Sequence, residues 1–327
     1  MKTPFLSVEA LAVDIRQPDG TRLRVLDDIS FHVEQGETLG IVGESGSGKS
    51  ILALAVIGLL PSNAEATGAV RLHGRHLVGI GDRALSHVRG RRIGMIFQEP
   101  ATALNPAMRV GDQIAEGLRA GRELTRDQAR RRARELLDRV RIPDAARRFQ
   151  AYPHELSGGQ RQRVTIAIAL GSEPELLIAD EPTTALDVTV QAEIIDLLAE
   201  LVRERTMALI LVSHDLGLVA QATERMLVLY AGTRMEEGRS LDLVRRPSNP
   251  YTAGLLRSVP RRPPPGGRLF TISGTVPSPA ALPPGCRFAP RCPAHIPQCD
   301  AGEPVWQKAG KRRGLRCIRA EPGTPAP

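Results

Sequence analysis

Gly43-Glu44-Ser45-Gly46-Ser47-Gly48-Lys49-Ser50 fits the pattern GxxxxGK[ST]. It stands between an apolar run, Leu39-Gly40-Ile41-Val42, and a helix-like stretch from Ser50 to Leu60 that Pro61 stops. Strand, glycine-rich loop and helix therefore follow in the order a phosphate loop demands. The glycines let backbone N–H groups curl round phosphate oxygens, and the helix start adds positive potential. In such a loop Lys49 reaches the β- and γ-phosphates and Ser50 ligates Mg²⁺. A flexible Gly/Ser loop is the competing reading, and the flanking strand and helix argue against it.

Upstream, residues 5 to 35 alternate apolar and polar positions (Leu6, Val8; Leu11, Val13, Ile15; Val25, Ile29, Phe31, Val33), with Pro18-Asp19-Gly20 as a turn. The alternation predicts an antiparallel β region. Downstream, Asp180-Glu181 ends the apolar run Leu176 to Ala179, which places two carboxylates at the C-terminal edge of a parallel sheet, where ligands of such sheets bind. Carboxylates at a strand end also cap helices. Beside a phosphate loop, Asp180 is assigned to the Mg²⁺ shell and Glu181 to polarising the attacking water. The helical pattern of Val190 to Arg203 leads to a further apolar run, Leu209 to Val212, giving a strand, helix, strand unit with a buried parallel sheet, and Met226 to Tyr230 adds an edge strand.

Two other stretches read as helical. Thr125 to Val140, dense in Arg, Glu, Ala and Leu, predicts a surface helical subdomain whose charges need no functional explanation. Leu156-Ser157-Gly158-Gly159-Gln160 precedes the apolar helix Val164 to Leu170 and offers a second helix N-terminus, with a hydroxyl and bare backbone, to another anion.

With 327 residues, 42% of them apolar, the chain can bury a full core and leave enough for an extension. The longest apolar run, Ile51 to Leu60, is about half the ~20 residues a spanning helix requires, and the N-terminus lacks a basic segment followed by an apolar one. A soluble protein is expected, reaching a membrane through a partner. The net charge of +8 resides in the tail, where residues 246 to 327 hold 13 Lys/Arg against 3 Asp/Glu, while residues 1 to 245 hold 31 against 33. A basic tail suits nucleic acid, anionic lipid or an acidic partner, or is a solvated face. The same tail carries 17 of the 26 prolines, including Pro263-Pro264-Pro265, and all four cysteines, Cys286, Cys292, Cys299 and Cys317. A boundary is expected near Arg245, separating a domain over 1–245 from an irregular module over 246–327. Without a secretion signal, the cysteine cluster favours metal ligation over disulfides; its spacings miss the CxxC pairs of structural zinc, and four thiolates suit Zn²⁺ or an iron–sulfur cluster.

Taken together, the phosphate loop, Gln98 in Ile96-Phe97-Gln98, Leu156 to Gln160, Leu176 to Pro182, Ala185-Leu186-Asp187 and Ser213-His214-Asp215 resemble the nucleotide-binding subunit of ABC transporters over about residues 5 to 245. The resemblance implies an α/β, ABC-type P-loop NTPase domain with a mixed sheet core, an antiparallel β region, a helical subdomain at about 100–170, and an irregular Cys-containing C-terminal extension. It also implies that two such domains face head to tail, so that Ser157, Gly158, Gly159 and Gln160 of one close over ATP held by the other's loop. By the same carry-over Gln98 senses Mg²⁺ and the water and connects to membrane subunits, His214 contacts the γ-phosphate, and Asp187 crosses the dimer interface. The family stacks adenine on an aromatic residue at the position where this chain has Ile15.

Gln98 to Pro106, Glu181 to Gln191, and Asn249-Pro250-Tyr251-Thr252 are similar to the dipeptide, oligopeptide and nickel import ATPases, where the last motif begins with His; the cysteine tail is similar to that group's C-terminal module. The resemblance implies ATP-driven uptake of a small peptide-like solute and a [4Fe–4S] cluster in the tail, with Zn²⁺ as the alternative. It implies as partners a second ATPase, homologous or identical, two transmembrane permease subunits and an extracytoplasmic solute-binding protein, and a peripheral place on the cytoplasmic face of the inner membrane. A soluble ABC ATPase acting on nucleic acid or in translation is the alternative, with a basic tail in its favour; such proteins carry a coiled coil or two cassettes, and this chain has neither. An exporter or a membrane-remodelling ATPase would lack the Glu99 to Pro106 segment and the cysteine tail.

Overall fold

The computed structural model describes residues 4–121, 124–259, 270–309 and 312–326; the proline run Pro263-Pro264-Pro265 lies outside them. The chain forms two compact units, one of Met1–Val33, Thr38–Gly79 and Leu211–Pro327, the other of Glu34–Glu37 and Ile80–Ile210. The strands among the described residues are, in chain order, β1 (Leu6–Arg16), β2 (Arg22–Val33), β3 (Thr38–Val42), β4 (Ala64–Leu72), β5 (Arg75–His76), β6 (Ile93–Ile96), β7 (Leu176–Asp180), β8 (Ala208–Ser213), β9 (Arg225–Tyr230), β10 (Thr233–Arg239), β11 (Gln307–Lys308) and β12 (Gly314–Leu315).

In the first unit β2-β1-β4-β5 form the antiparallel sheet that the alternating pattern predicts, with Leu6 opposite Val33 and Arg16 opposite Arg22. Leu6, Val8, Leu11 and Val13 bury one row of side chains, as do Ile29, Phe31 and Val33 from β2. The turn after β1 closes through Gln17 N–H to the Thr21 carbonyl, and the Asp19 carboxylate accepts from the Thr21 N–H at 2.9 Å. A second sheet runs β11-β12-β10-β9-β3, with β3 parallel to β9 and β10 antiparallel to it.

Met226–Tyr230 is therefore no edge strand: β9 lies between β3 and β10 and every one of its residues is buried. The correction comes from β10, whose sequence Thr-Arg-Met-Glu-Glu-Gly-Arg has the composition of a loop. Its charges as far as Glu237 are buried and partnered. Glu237 forms an ion pair with Arg225 of β9, and the Arg234 guanidinium donates to the Asp28 and Ser30 carbonyls. The Glu236 carboxylate, its pKa raised by burial, accepts from the N–H groups of Ser248 (2.8 Å) and Asn249 (3.1 Å). Hydropathy cannot detect a strand whose polar groups are satisfied by partners far along the chain. Replacing Glu237 by Leu removes the carboxylate that pairs buried Arg225, so the unfolding free energy is expected to drop by about 3–5 kcal/mol in denaturant titrations. A drop below about 1 kcal/mol would mean that the remaining acceptors suffice for that guanidinium.

Residues beyond 245 are built into this first unit. β12 pairs with β10, setting Leu315 opposite Glu236. Arg287 donates to the Ala231 carbonyl and to Asp27, both at 2.7 Å, and Arg316 pairs with Asp28 at 3.0 Å. Asn249, where the family motif begins with His, is fully enclosed: its side-chain oxygen caps the helix Pro250–Ser258 by accepting from the Tyr251 N–H, and its amide donates to the Met235 and Arg316 carbonyls.

In the second unit β6 pairs in parallel with β7, and β7 lies beside β8, which carries the chain on into the first unit. The Arg-rich stretch forms the helix Arg126–Arg139 with a Thr125–Gln128 capping box, and it buries Ala129, Ala133, Leu136 and Leu137 along one stripe. The helices Gly158–Gly171 and Val188–Glu204 complete the parts that carry candidate site residues.

Candidate active site

The phosphate loop leaves β3 at Val42 and enters the helix Lys49–Ile57, which Gly58 ends in the left-handed conformation. Gly48 caps the helix start at φ +98°, and a Cβ on Gly43 would stand 2.2 Å from the Leu229 carbonyl oxygen. Only glycine fits both places without moving the backbone. Lys49 is buried, and its ammonium donates to the carbonyls of Gly43 (2.9 Å) and Glu44 (3.0 Å), so the cation is held inside the curl of the loop. Ser47 is fully buried with a hydroxyl that makes no hydrogen bond among the described residues, a polar group beside Gly43. Ser45 and Gly46 form the exposed crest, and Ser50 sits in the first helical turn.

Glu44 carries ties that the motif does not announce. Its N–H donates to the Tyr251 hydroxyl at 2.9 Å, and its carboxylate receives two N–H groups of Arg291, each at 2.8 Å. Tyr251 packs with Tyr230 and Phe288, ring centroids 4.6 to 5.3 Å apart. Ile15, half-buried in β1, lies opposite Leu23 of β2 and Ala64 of β4. His214 follows β8 and is exposed; the next residue, Asp215, caps the helix Leu216–Ala222 by accepting from the Leu218 N–H.

In the second unit the parallel register sets Ile96 opposite Ala179, which brings the residues after both strands together. Asp180 ends β7 buried, and Glu181 follows in a left-handed conformation at φ +45°. A non-glycine residue held there is strained, and such strain concentrates at functional sites. The Glu181 carboxylate accepts from the Gln98 amide at 3.3 Å and from the Thr184 hydroxyl at 3.0 Å. Gln98 and Glu181 are thus joined although 83 positions separate them.

Ser157 begins the helix Gly158–Gly171, and its hydroxyl and the Gln160 side chain form a reciprocal capping box. Asp187 does the same work for Val188–Glu204, accepting from the Val190 N–H at 3.0 Å. The two helix starts adjoin, since a Cβ on Gly159 would stand 2.7 Å from a Val190 methyl. Val188 is 82% exposed beside them.

The four cysteines are free thiols that line one cavity, together with Met235, Phe288 and Ile318. The cavity's four sulfurs come from points spread over 32 positions of chain, and Cys286 and Cys299 meet through the Cys286 N–H to Cys299 carbonyl bond at 2.8 Å. Burial pushes the Cys286 thiol up to about 11, its thiol neighbours adding to the shift, and burial likewise raises Cys292 and Cys317. Among the described residues no group of three or more His, Cys, Asp or Glu stands so as to hold a metal ion. No described helix is long and apolar enough to cross a membrane.

The family described as ABC transporter matches residues 26–184, and the oligopeptide/dipeptide transporter C-terminal region matches residues 235–299. The chain is 47% identical to the oligopeptide transport ATP-binding protein OppD of Salmonella typhimurium over 92% of this chain and 90% of that one. With the OppD of Mycobacterium tuberculosis it shares 51% identity over 98% of its own length and 52% of that longer protein. Among solved structures, the dimeric post-hydrolysis ATP-binding cassette MJ0796 bound to ADP and Pi superposes with a TM-score of 0.64 at 27% identity, over 72% of this chain and 98% of that one. The cbiO1 protein of Clostridium perfringens, part of the cbiONQ transporter complex, gives 0.62 at 30% identity, over 74% of this chain and 91% of that one.

Proposed function

Since this chain belongs to the ABC transporter family and is the ATPase subunit of an oligopeptide-type importer, we propose that its site residues divide ATP hydrolysis among themselves as follows. The loop Gly43 to Ser50 holds the phosphates through backbone N–H groups, with Lys49 on the β- and γ-phosphates. Ser50, Asp180 and Gln98 are the oxygen donors for Mg²⁺, and a bound Mg²⁺ neutralises charge developing on the phosphates. Glu181 orients a water for in-line attack on the γ-phosphate and draws off its proton, while His214 contacts the γ-phosphate. Ser157, Gly158, Gly159 and Gln160 of a second ATPase subunit close over the nucleotide, and Asp187 reaches across that interface. Ile15 makes the adenine contact apolar rather than aromatic. The observation that carries the hydrolytic reading is the Glu181 carboxylate, held by Gln98 and Thr184 at a strained strand end.

The subunit works from the cytoplasmic face of the inner membrane, beneath two permease subunits that receive peptide from an external binding protein. Nucleic acid is not a partner in this reading. In the C-terminal region Cys286, Cys292, Cys299 and Cys317 hold a [4Fe–4S] cluster. Support comes from the donor set, four free thiols on one cavity, the number of thiolates such a cluster takes. The cluster acts as a staple for a segment with little apolar core of its own.

Anaerobic purification of the tagged chain from membranes, followed by mass spectrometry and by iron, acid-labile sulfide and zinc analysis, is expected to recover two permeases, an ATPase partner and iron with sulfide. Recovery without permeases would overturn the importer assembly. Zinc without iron would replace the cluster by an ion, and neither metal would leave four thiols.

A further inference from the structure

Every polar group of Glu44 is engaged within the first unit. Its carbonyl accepts from Lys49, its N–H donates to the Tyr251 hydroxyl, and its carboxylate takes the paired N–H groups of Arg291. Two of these three ties come from the C-terminal region, Tyr251 from the helix Pro250–Ser258 and Arg291 from the segment between Cys286 and Cys292.

Arg291 is built to hold a direction. Its side chain is only 5% exposed, against 27% for Glu44. Its Nε donates to the Ser273 carbonyl at 2.8 Å, and one Nη also donates to the Tyr230 hydroxyl at 3.2 Å. The guanidinium carbon stands 5.7 Å from the Tyr230 ring centroid. A planar fork locked from behind and paired bidentately fixes the carboxylate in angle as well as distance. The crest of the loop it grips is open, for a Cβ on Gly46 would find nothing within 4 Å. Backbone N–H groups can converge on a phosphate only where the loop conformation is set beforehand.

We propose that Arg291 and Tyr251 are positioning residues for ATP binding, which hold Glu44 and thereby set the phosphate loop, so that an ordered cysteine region is a condition of a formed nucleotide site. The proposal rests on the reading of residues 43–50 as the ATP cradle given above. The loop motif is thus incomplete as a local unit, and its conformation depends on residues more than 200 positions away.

The purified full-length chain, titrated with a fluorescent N-methylanthraniloyl ATP, tests it. Arg291→Met is expected to weaken binding about tenfold, and Arg291→Lys, which keeps the charge but not the fork, less than that. In a double-mutant cycle, Glu44→Gln with Arg291→Met is expected to bind no more weakly than Arg291→Met alone. Thermal melting of each variant runs alongside. Lowered melting with unchanged affinity of the folded protein would make the pair a structural tie only and overturn the proposal, as would additive losses in the cycle. If Arg291→Met does not fold, Glu44→Gln on the more exposed side of the pair decides by its affinity alone. Failure of the unaltered chain to bind the nucleotide would overturn the ATP reading itself, and this proposal with it.

Discussion

Glu181→Gln is expected to lower ATP turnover by about 10²–10⁴ while nucleotide binding persists. The amide is the same size as the carboxylate and keeps an oxygen to accept from the Gln98 amide and the Thr184 hydroxyl, the two partners at 3.3 and 3.0 Å. What the variant loses is the capacity to take a proton from water. The left-handed backbone at φ +45° sharpens the expectation, because a residue held in that conformation costs on the order of 1 kcal/mol or more and is kept there by its surroundings. The change therefore tests chemistry with the geometry left in place. Single-turnover hydrolysis measured beside equilibrium ATP binding separates the effects. Turnover at the unaltered rate would take Glu181 out of the base role, and a parallel loss of binding would mark it as a residue that holds the strand end instead.

Local signals carried most of the fold. The order of residues from Val42 to Ser50 announces strand, loop and helix, although the ties that hold the loop at Glu44 lie outside it, and both the alternating run from Leu6 and the turn at Asp19 appear as strands joined by a hydrogen-bonded turn. Leu156 to Gln160 is readable as a helix start because Ser157 and Gln160 cap each other within four residues. β10 was not readable. Its Arg234, Glu236 and Glu237 look like a solvated turn until Asp28, Ser248, Asn249 and Arg225 are brought up to satisfy them, and that supply lies between 12 and 206 positions away. The same limit hid the grip of Arg291 on Glu44, because a charged residue among prolines and cysteines gives no sign of where its partner lies. Asn249 is instructive in the opposite sense. It departs from the His of the family motif, yet as a helix cap with two further carbonyl contacts it is fully satisfied, so the departure is accommodated by local chemistry.

Ser157→Arg is expected to abolish ATP-driven activity in the assembled complex while the isolated chain still folds and binds ATP at its own phosphate loop. The reasoning starts from position. Ser157 heads the helix Gly158–Gly171, and in the proposed head-to-tail pairing its first N–H groups and positive end would receive a phosphate brought by another subunit. A guanidinium placed there adds like charge and bulk where an anion is to be received. Ser157 is exposed at this helix start, so the guanidinium stands on the outer surface, while the residues behind it are close-packed: a Cβ on Gly159 would stand 2.7 Å from a Val190 methyl, and one on Gly158 3.3 Å from Leu186. Losing the cap itself costs only about 1 kcal/mol, since the hydroxyl accepts from a single N–H. Ser157→Ala, which loses the cap but admits the phosphate, therefore serves as the measure of that smaller effect. Activity near normal for Ala and absent for Arg, with melting temperatures close to each other, is the result expected of a surface that works on its neighbour's ATP. Activity retained with Arg would mean that this helix start never meets a nucleotide, and the head-to-tail pairing of two ATPase subunits would fall with it.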